Sequence, residues 1–463
     1  MFRATLLFIL LFSPYLCADR VSAQSDGTYD PTFVQGTGFA GDVLAITRQA
    51  DGKLLVGGDQ LSIYNGVAVK PIVRLGADGT LDTGFDVGTG PDAPVQEIVT
   101  QADGRILVGG NFFNFNGVNS RRLVRLMPNG SVDNSFNIGT GANSMVTSVV
   151  VQPDGKVLVG GSFSQWNGAT VGGIVRLLVD GSMDPAFNVG AGTNDNVNDV
   201  VLRPNGKIVI GGYFTQYNGT TRNQLAQLHG NGTLDTSFNP GAGAGSSYSV
   251  IGMALTADGK LICGGDFWTW QGASVNGLVR IATDGARDVS FNGQSTPTRI
   301  IKVAIQADGK ALLAGTAGLR RVDTDGNADL TFETGTGFYG GLQVVAAIEQ
   351  LPDGRLLAGG QFSEYNGNAV GSIVRLATSN VGIQEPEQLQ ASVWPNPSNG
   401  RMTIQWPGQE QAWATVRDLT GRIVLEQVPI FSGAGLSLDG APGVYMLEVR
   451  SASGVQRLPI VKQ

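Results

Sequence analysis

The chain has very few of the residues on which most enzyme chemistry relies. One histidine and two cysteines occur among 463 residues, and charged residues make up only 15%. With His229 alone, zinc sites built on two or more histidines are excluded, and any His-based triad would have to use it. Of the cysteines, Cys17 lies in an apolar run at the N-terminus, and only Cys263 stands in the body of the chain. An intrachain disulfide is therefore excluded once that run is removed. Lysine and arginine number 31 against 38 aspartate and glutamate, a net charge of −7. That balance argues against nonspecific nucleic-acid binding, which needs a basic face. Beyond the N-terminal run no stretch approaches the roughly 18 apolar residues of a spanning helix, so no transmembrane segment is expected.

What is abundant is glycine, 68 residues, and its placement is periodic. The phrase Asp-Gly-Lys/Arg recurs at Asp51, Asp103, Asp154, Asp258, Asp308 and Asp353, with a variant copy at Asn205. The steps are 52, 51, 51, 53, 50 and 45 residues. A period near 50 with strand-like content marks a propeller or a solenoid. Each repeat holds four strand signals; in the second they are Val95–Gln101, Arg105–Gly110, Arg122–Leu126 and Ser131–Phe136. Asp103-Gly104 and Asn129-Gly130 join them in pairs, as two-residue hairpin turns require. Four short antiparallel strands rich in β-branched residues make a propeller blade.

A fourth-strand phrase, Asp-x-x-Phe, occurs at Asp82, Asp133, Asp184, Asp235, Asp288 and Asp329. It is missing after Ile373–Leu376 of the seventh repeat, and an unattached copy, Tyr29–Phe33, sits near the N-terminus. That N-terminal strand is expected to be the outer strand of the last blade, closing the ring and leaving no open end. A solenoid would instead need capping repeats. The strings Asp-Gly-Lys-x-x-x-Gly-Gly, Tyr/Trp-Asn-Gly, Val-Arg-Leu and Asp-x-x-Phe, in that order from about Tyr29 to Leu376, resemble the delta-60 repeat β-propeller family. The sixth repeat departs most, since Gly315–Arg320 skips the Phe and Tyr-Asn-Gly segment. The fourth replaces Val-Arg-Leu with Ala226-Gln227-Leu228. The resemblance implies a propeller with a secreted or surface habit, and carries no activity to particular residues.

Both ends concern delivery. Arg3, the apolar run Ala4 to Leu16 and the small residues around Ala23 read as a secretory signal peptide over residues 1–23. A lipoprotein reading through Cys17 is disfavoured by bulky Leu16. The propeller is expected over 24–378 and a polar linker over 379–388. Residues 389–463 then read as a small all-β module with turns at Pro, Asn and Gly clusters. Its strings Val393–Gly400, Val416–Val424 and Gly443–Val449 resemble the type A C-terminal sorting domain of the type IX secretion system. That resemblance implies a Gram-negative, Bacteroidetes-type source, passage through the type IX machinery, and removal of the domain. It also implies release or attachment to surface lipopolysaccharide. The expected fold is all-β: a seven-bladed β-propeller closed by an N-terminal strand, followed by a small immunoglobulin-like β-sandwich.

Candidate chemistry mostly resolves into turns. His229 precedes the Asn231-Gly232 turn, where other repeats have Gly76, Met127 and Leu178, and reads as a surface residue. The Asp-Gly pairs lack the oxygen ladder and terminal Glu of an EF-hand. Asn194-Asp195-Asn196, with Asn198 and Asp199, is the densest oxygen cluster and the one place to look for calcium. Gly-x-Gly strings such as Gly88-Thr-Gly90 lie between blades and open no helix, so they do not read as phosphate loops. Asp82 and its counterparts read as turn residues that bond local backbone amides. No cofactor and no metal are expected. The longer second-to-third-strand loops share one face, where Phe113, Trp268 and Trp270 are the candidate ligand-binding residues. The short sixth loop is expected to leave a notch beside the fifth. A binding or adhesion module for glycan or protein is the leading role; a secreted polysaccharide-acting enzyme and a structural surface-layer component are the alternatives.

Overall fold

The structure, a computed structural model, describes residues 26–245, 247–293, 299–377, 392–405, 411–418, 422–451 and 454–463. The expected signal peptide, with Cys17, and the expected linker lie outside the described residues. Every regular element among the described residues is a strand. The chain divides into two units, Met1–Ser379 and Asn380–Gln463.

In the first unit each repeat forms the expected first three strands, while the expected fourth, Ser131–Phe136 in the second repeat, is reduced to a single bridge because turns close in on both sides of it. In blade 2, Val95–Thr100 pairs antiparallel with Ile106–Gly110, which pairs with Leu123–Leu126; a bridge from Leu126 to Val132 adds the outer strand. The first strands are innermost: each packs against that of the next blade, and Val344–Gln350 of blade 7 packs against Phe39–Arg48 of blade 1. The ring is therefore closed. Glycine at the end of each second strand allows this approach. A Cβ on Gly109 would stand 2.7 Å from the Val146 side chain of blade 3, and one on Gly110 would stand 2.3 Å from the Pro94 carbonyl. The sixth blade turns directly from Ala311–Gly315 into Gly318–Val322, so its loop is the short one.

One interaction repeats around the ring. Arg125, at the centre of the third strand, donates from Nε to Asp133 Oδ2 at 2.8 Å and covers the Phe136 ring 4.4 Å from its centroid. Its Nη1 donates to the Val179 carbonyl of blade 3 at 2.7 Å. The same clamp joins Arg74, Asp82 and Phe85; Arg176, Asp184 and Phe187; Arg280, Asp288 and Phe291; and Arg321, Asp329 and Phe332. The lysine of each Asp-Gly-Lys turn reaches the same carboxylate, as Lys53 does to Asp82 at 2.8 Å. Asp82 Oδ1 also accepts the Gly84 N–H, the local bond expected of it.

The seventh clamp spans the chain. Arg375 meets Asp30 at 2.7 Å and covers Phe33 at 4.9 Å, while Tyr29 pairs with Leu376. Asp26 adds an ion pair with Arg321 of blade 6 at 2.5 Å. Both partners of the Arg375–Asp30 pair are buried, so removing one would strand a charge at a cost of about 3–5 kcal/mol.

Blade 4 achieves the same result with the partners exchanged. In blades 1, 2, 3 and 6 the first-to-second-strand turn opens with glutamine, at Gln49, Gln101, Gln152 and Gln306, and in every blade but the fourth the third strand holds arginine. Here the turn holds Arg203 and the strand holds Gln227. Gln227 donates to Asp235 at 2.8 Å, and the guanidinium over Phe238 comes from Arg203, 5.9 Å from the centroid. Its link to blade 5 moves inward, to the Gly259 carbonyl.

The second unit is a two-sheet sandwich. Ser392–Trp394, Arg401–Gln405 and Ala434–Ser437 form one sheet; Ile423–Ile430, Ala412–Asp418, Gly443–Ser451 and Gly454–Lys462 form the other. Met402, Ile404 and Leu436 from the first meet Ala414, Val416, Leu447 and Val449 from the second in a common core.

The exchange in blade 4 makes a double-mutant cycle decisive. Arg203→Gln should cost about 1–3 kcal/mol by stripping Phe238 of its cation, and Gln227→Arg a similar amount by crowding two guanidinium groups. The double variant should lie within about 1 kcal/mol of the parent, because it restores the arrangement of the other blades. Additive losses in urea unfolding would refute the compensation.

Candidate functional site

The loop face is built by the hairpins between second and third strands. Their repeated aromatics, Tyr64, Phe115, Trp166, Tyr217, Trp270 and Tyr365, are all buried. Tyr64 and Tyr217 donate their hydroxyls to the Gly79 and Gly232 carbonyls, each at 2.6 Å. The asparagine after the aromatic has a left-handed backbone, φ 55° at Asn116, and its Oδ1 accepts the Gly90 N–H at 2.8 Å. Asn167 bonds Gly141, and Asn366 bonds Gly337, in the same way. The Gly-x-Gly strings are thus the seats of hairpin asparagines, and their amides are engaged.

The three aromatic candidates separate. Trp270 is fully buried, edge-on to Phe267 at 5.4 Å, as Trp166 is to Phe163. Of the two tryptophans only Trp268 is left exposed, because Trp270 fills the hairpin's core position. Trp268 is 51% exposed, at the position held by Ser164, Thr215 and Ser363 in other blades. Phe113 holds that position in blade 2 and is equally exposed, but the Arg122 guanidinium covers one ring face at 3.8 Å. Asp92 fixes its backbone by accepting the Phe113 N–H at 2.8 Å. Beside the short sixth turn, Phe338 stands against Gly318, with Tyr339 and Leu342 exposed.

The oxygen cluster at Asn194 is divided between two tasks. Asn194 Oδ1 accepts the Thr215 and Gln216 N–H groups at 2.9 Å, the blade 4 counterpart of Asp92. Asp199 instead faces the centre of the ring. No group of three or more metal-ligating side chains assembles among the described residues. Cys263 is buried, and that burial pushes its thiol well above the usual range. His229 is exposed in its turn.

Sequence reasoning missed the centre of the ring. The inner-strand residue opposite the fourth residue of the second strand is small in Ala45, Ser148, Gly252 and Ala347 but charged in Glu97, Asp199 and Lys302. Lys302 of blade 6 reaches across to Glu97 of blade 2 at 3.0 Å. Asp199 accepts the Met253 N–H at 2.7 Å and the Val200 N–H at 2.9 Å, bracing blades 4 and 5. Enclosure pushes its carboxyl up to about 6, against the pull of Lys302 and Met253. Enclosure likewise pushes Glu349, two positions further along the blade 7 strand, up to about 7. Charges breaking an otherwise small repeat position were the signal available in the sequence. The acids are held by backbone amides and a lysine, an arrangement that braces the ring.

Residues 49–85, 101–136, 152–187, 203–238, 256–291, 306–332 and 351–379 match the domain of unknown function (DUF5122) beta-propeller, which covers more than half of the chain. The chain belongs to the DUF5122 beta-propeller family. Residues 392–463 of this DUF5122 propeller chain match the secretion system C-terminal sorting domain. The chain therefore carries a type IX sorting domain and is directed to the cell surface or the extracellular space, as in Bacteroidetes. Among the described residues no helix is long and apolar enough to cross a membrane. No curated protein matches the chain. Among solved structures, PorZ, a surface component of the type IX secretion system of Porphyromonas gingivalis, is 15% identical with a TM-score of 0.41; the match covers 96% of this chain and 60% of that one. The extracellular domain of BT4673 from B. thetaiotaomicron is 12% identical with a TM-score of 0.48, covering 95% and 58%. A streptogramin B lyase is 17% identical with a TM-score of 0.47, covering 74% and 94%. The chain thus spans 60% and 58% of the length of the first two.

The ring should respond to pH at both ends of the scale. The Lys53 and Arg74 partners of Asp82 hold it down to about 2, so its contribution is present above about pH 4 and lost as pH falls through 2. Glu349 holds its proton longer folded than unfolded, so stability declines as pH rises from about 4.5 through 7. Glu349→Gln should leave stability at pH 4 unchanged and raise it by about 1–2 kcal/mol at pH 8. An equal effect at both pH values, measured by urea unfolding, would contradict this assignment.

Proposed function

We propose that the mature ring is a binding or adhesion module for an extracellular glycan or protein, delivered by the type IX machinery. In this reading processing removes residues 1–23 and later the sorting domain from residue 389, and the ring is released or attached to surface lipopolysaccharide. The observation that carries it is Trp268: an indole 51% exposed at a position where blades 3, 4 and 7 hold serine or threonine. A bulky aromatic that contributes little to the core and stands on a hairpin braced at both ends suits stacking on a sugar face or anchoring a protein partner. The central acids, each paired or bonded to backbone, give the polysaccharide-acting enzyme reading no comparable support.

Thermal melting of the ring against polysaccharides and glycoproteins tests this directly. A ligand at 100 times its dissociation constant should add about 2.7 kcal/mol to stability. Trp268→Ala should weaken that ligand about tenfold or more while leaving the unliganded melt in place. Full affinity in the variant would remove Trp268 from the site.

A further inference from the structure

Blades 2 and 5 share one departure from the other hairpins. Each has an exposed aromatic two residues before the buried hairpin aromatic, Phe113 before Phe115 and Trp268 before Trp270. The two hairpins also share their backbone bonds. Ser120 donates its N–H to the Phe113 carbonyl and Val275 to the Trp268 carbonyl, each at 3.0 Å. The Arg122 and Gly277 carbonyls accept the Gly110 and Gly265 N–H groups, each at 2.9 Å. Arg122 and Gly277, the residues before the third strands, have φ 75° and 81°. Corresponding residues therefore stand in corresponding places, and their side chains can be compared one by one.

In blade 2 the exposed ring is served from within. The Arg122 guanidinium lies 3.8 Å from the Phe113 ring centroid, and its Nη1 donates to the Asn111 carbonyl and, at 2.8 Å, to Asn111 Oδ1. Ring and oxygens together form a seat for one guanidinium. Blade 5 keeps that seat and strengthens it. Trp268 replaces Phe113, and indole is the ring that attracts a cation most. Asp266 replaces Asn111, so a carboxylate stands in place of an amide. Asp266 Oδ1 accepts the Ser249 N–H at 2.7 Å, while the ion pairs of blade 5 go to Asp258 and Asp288. Asp266 has no ion-pair partner among the described residues. What blade 5 lacks is the arginine, because Gly277 has no side chain. Among the described residues no cation covers the Trp268 ring.

We propose that Trp268 and Asp266 bind the guanidinium of an arginine carried by a partner protein, seated as Arg122 is seated in blade 2. The inference rests on the loop-face reading of Trp268 and narrows it to one ligand chemistry. Stacking alone would serve a sugar equally well. The unpaired carboxylate, and the arginine that occupies the sister hairpin, single out a cation. A planar guanidinium fits an aromatic face and a carboxylate at once, which an ammonium does less well. Arginine is also enriched at protein interfaces, where lysine is depleted.

The probe is N-acetyl-arginine methylamide, titrated by NMR against the full chain with its tryptophan indoles isotopically labelled. The indole N–H resonance missing from Trp268→Ala identifies the site. It should shift saturably with the arginine compound and bind the citrulline analogue, which keeps the shape and loses the charge, about tenfold more weakly. Asp266→Asn retains an acceptor for Ser249 and should weaken the arginine compound about fivefold. Gly277→Arg should fill the seat from within and abolish binding while the melting temperature is kept. Absence of a saturable shift, equal affinity for citrulline, or full affinity in Asp266→Asn or in folded Gly277→Arg would overturn the proposal. Tighter binding of free arginine than of the blocked compound would overturn the assignment to a partner protein. A glycan that binds through Trp268 when the arginine compound does not would sink this inference and leave the loop-face reading standing.

Discussion

The ring depends on a buried arginine held between an aspartate and a phenylalanine. Alone, the clamp would stabilise one outer strand. Its remaining N–H groups extend it to the next blade, as when Arg125 reaches the Val179 carbonyl or Arg280 the Thr324 carbonyl. Each blade thus completes its neighbour's hydrogen bonding, and the desolvation of each guanidinium is offset only when the neighbour is in place. The seventh clamp carries the greatest constraint, because Asp30 and Arg375 are 345 residues apart in the chain. Closing that loop costs chain entropy that grows only slowly with length, so one buried ion pair, a strand bridge and Phe33 can offset it.

Around this clamp, glycine sets how closely the parts approach. Gly109 and its equivalents let one blade's inner strand nest on the next, and Gly88 and its equivalents leave room for a hairpin asparagine. Ring geometry therefore occupies most of the repeated residues. Variation is left to positions outside that geometry: the residue two before the buried hairpin aromatic, the residue before the third strand, and the inner-strand residue opposite the fourth residue of the second strand. Those three positions yield Trp268 on the loop face, Pro71 before the third strand of blade 1 and the Glu97–Lys302 bridge at the centre.

Much of the architecture was legible because repeats make their own alignment. Six copies of Asp-Gly-Lys/Arg with the variant at Asn205, and the detached Tyr29–Phe33, specified blade number and closure without any contact being known. Trp268 and Trp270 show the limit. They are two residues apart on one hairpin, yet one is 51% exposed and the other has no exposed surface. The repeat signalled that Trp270 occupies the Tyr/Trp-Asn-Gly position, but only packing against Phe267 decides that the chemistry of the indole is hidden. Asn194 was legible as an oxygen donor, while its service to the Thr215 and Gln216 amides is a relation between distant segments.

By itself the sequence determined what is local or periodic: turns, strand count, the closing strand, and the sorting domain at the C-terminus. These follow from dipeptide conformations and from phrases repeated in register, neither of which needs a third dimension. The tertiary structure decided what depends on separation across the ring. That Glu97 and Lys302, 205 residues apart, meet at 3.0 Å follows from the curvature of seven packed blades. That the hairpin segment Val67–Lys70 and Leu81 line one cavity depends on how a hairpin lies over the outer edge of its blade. Both are consequences of packing, which no single repeat contains.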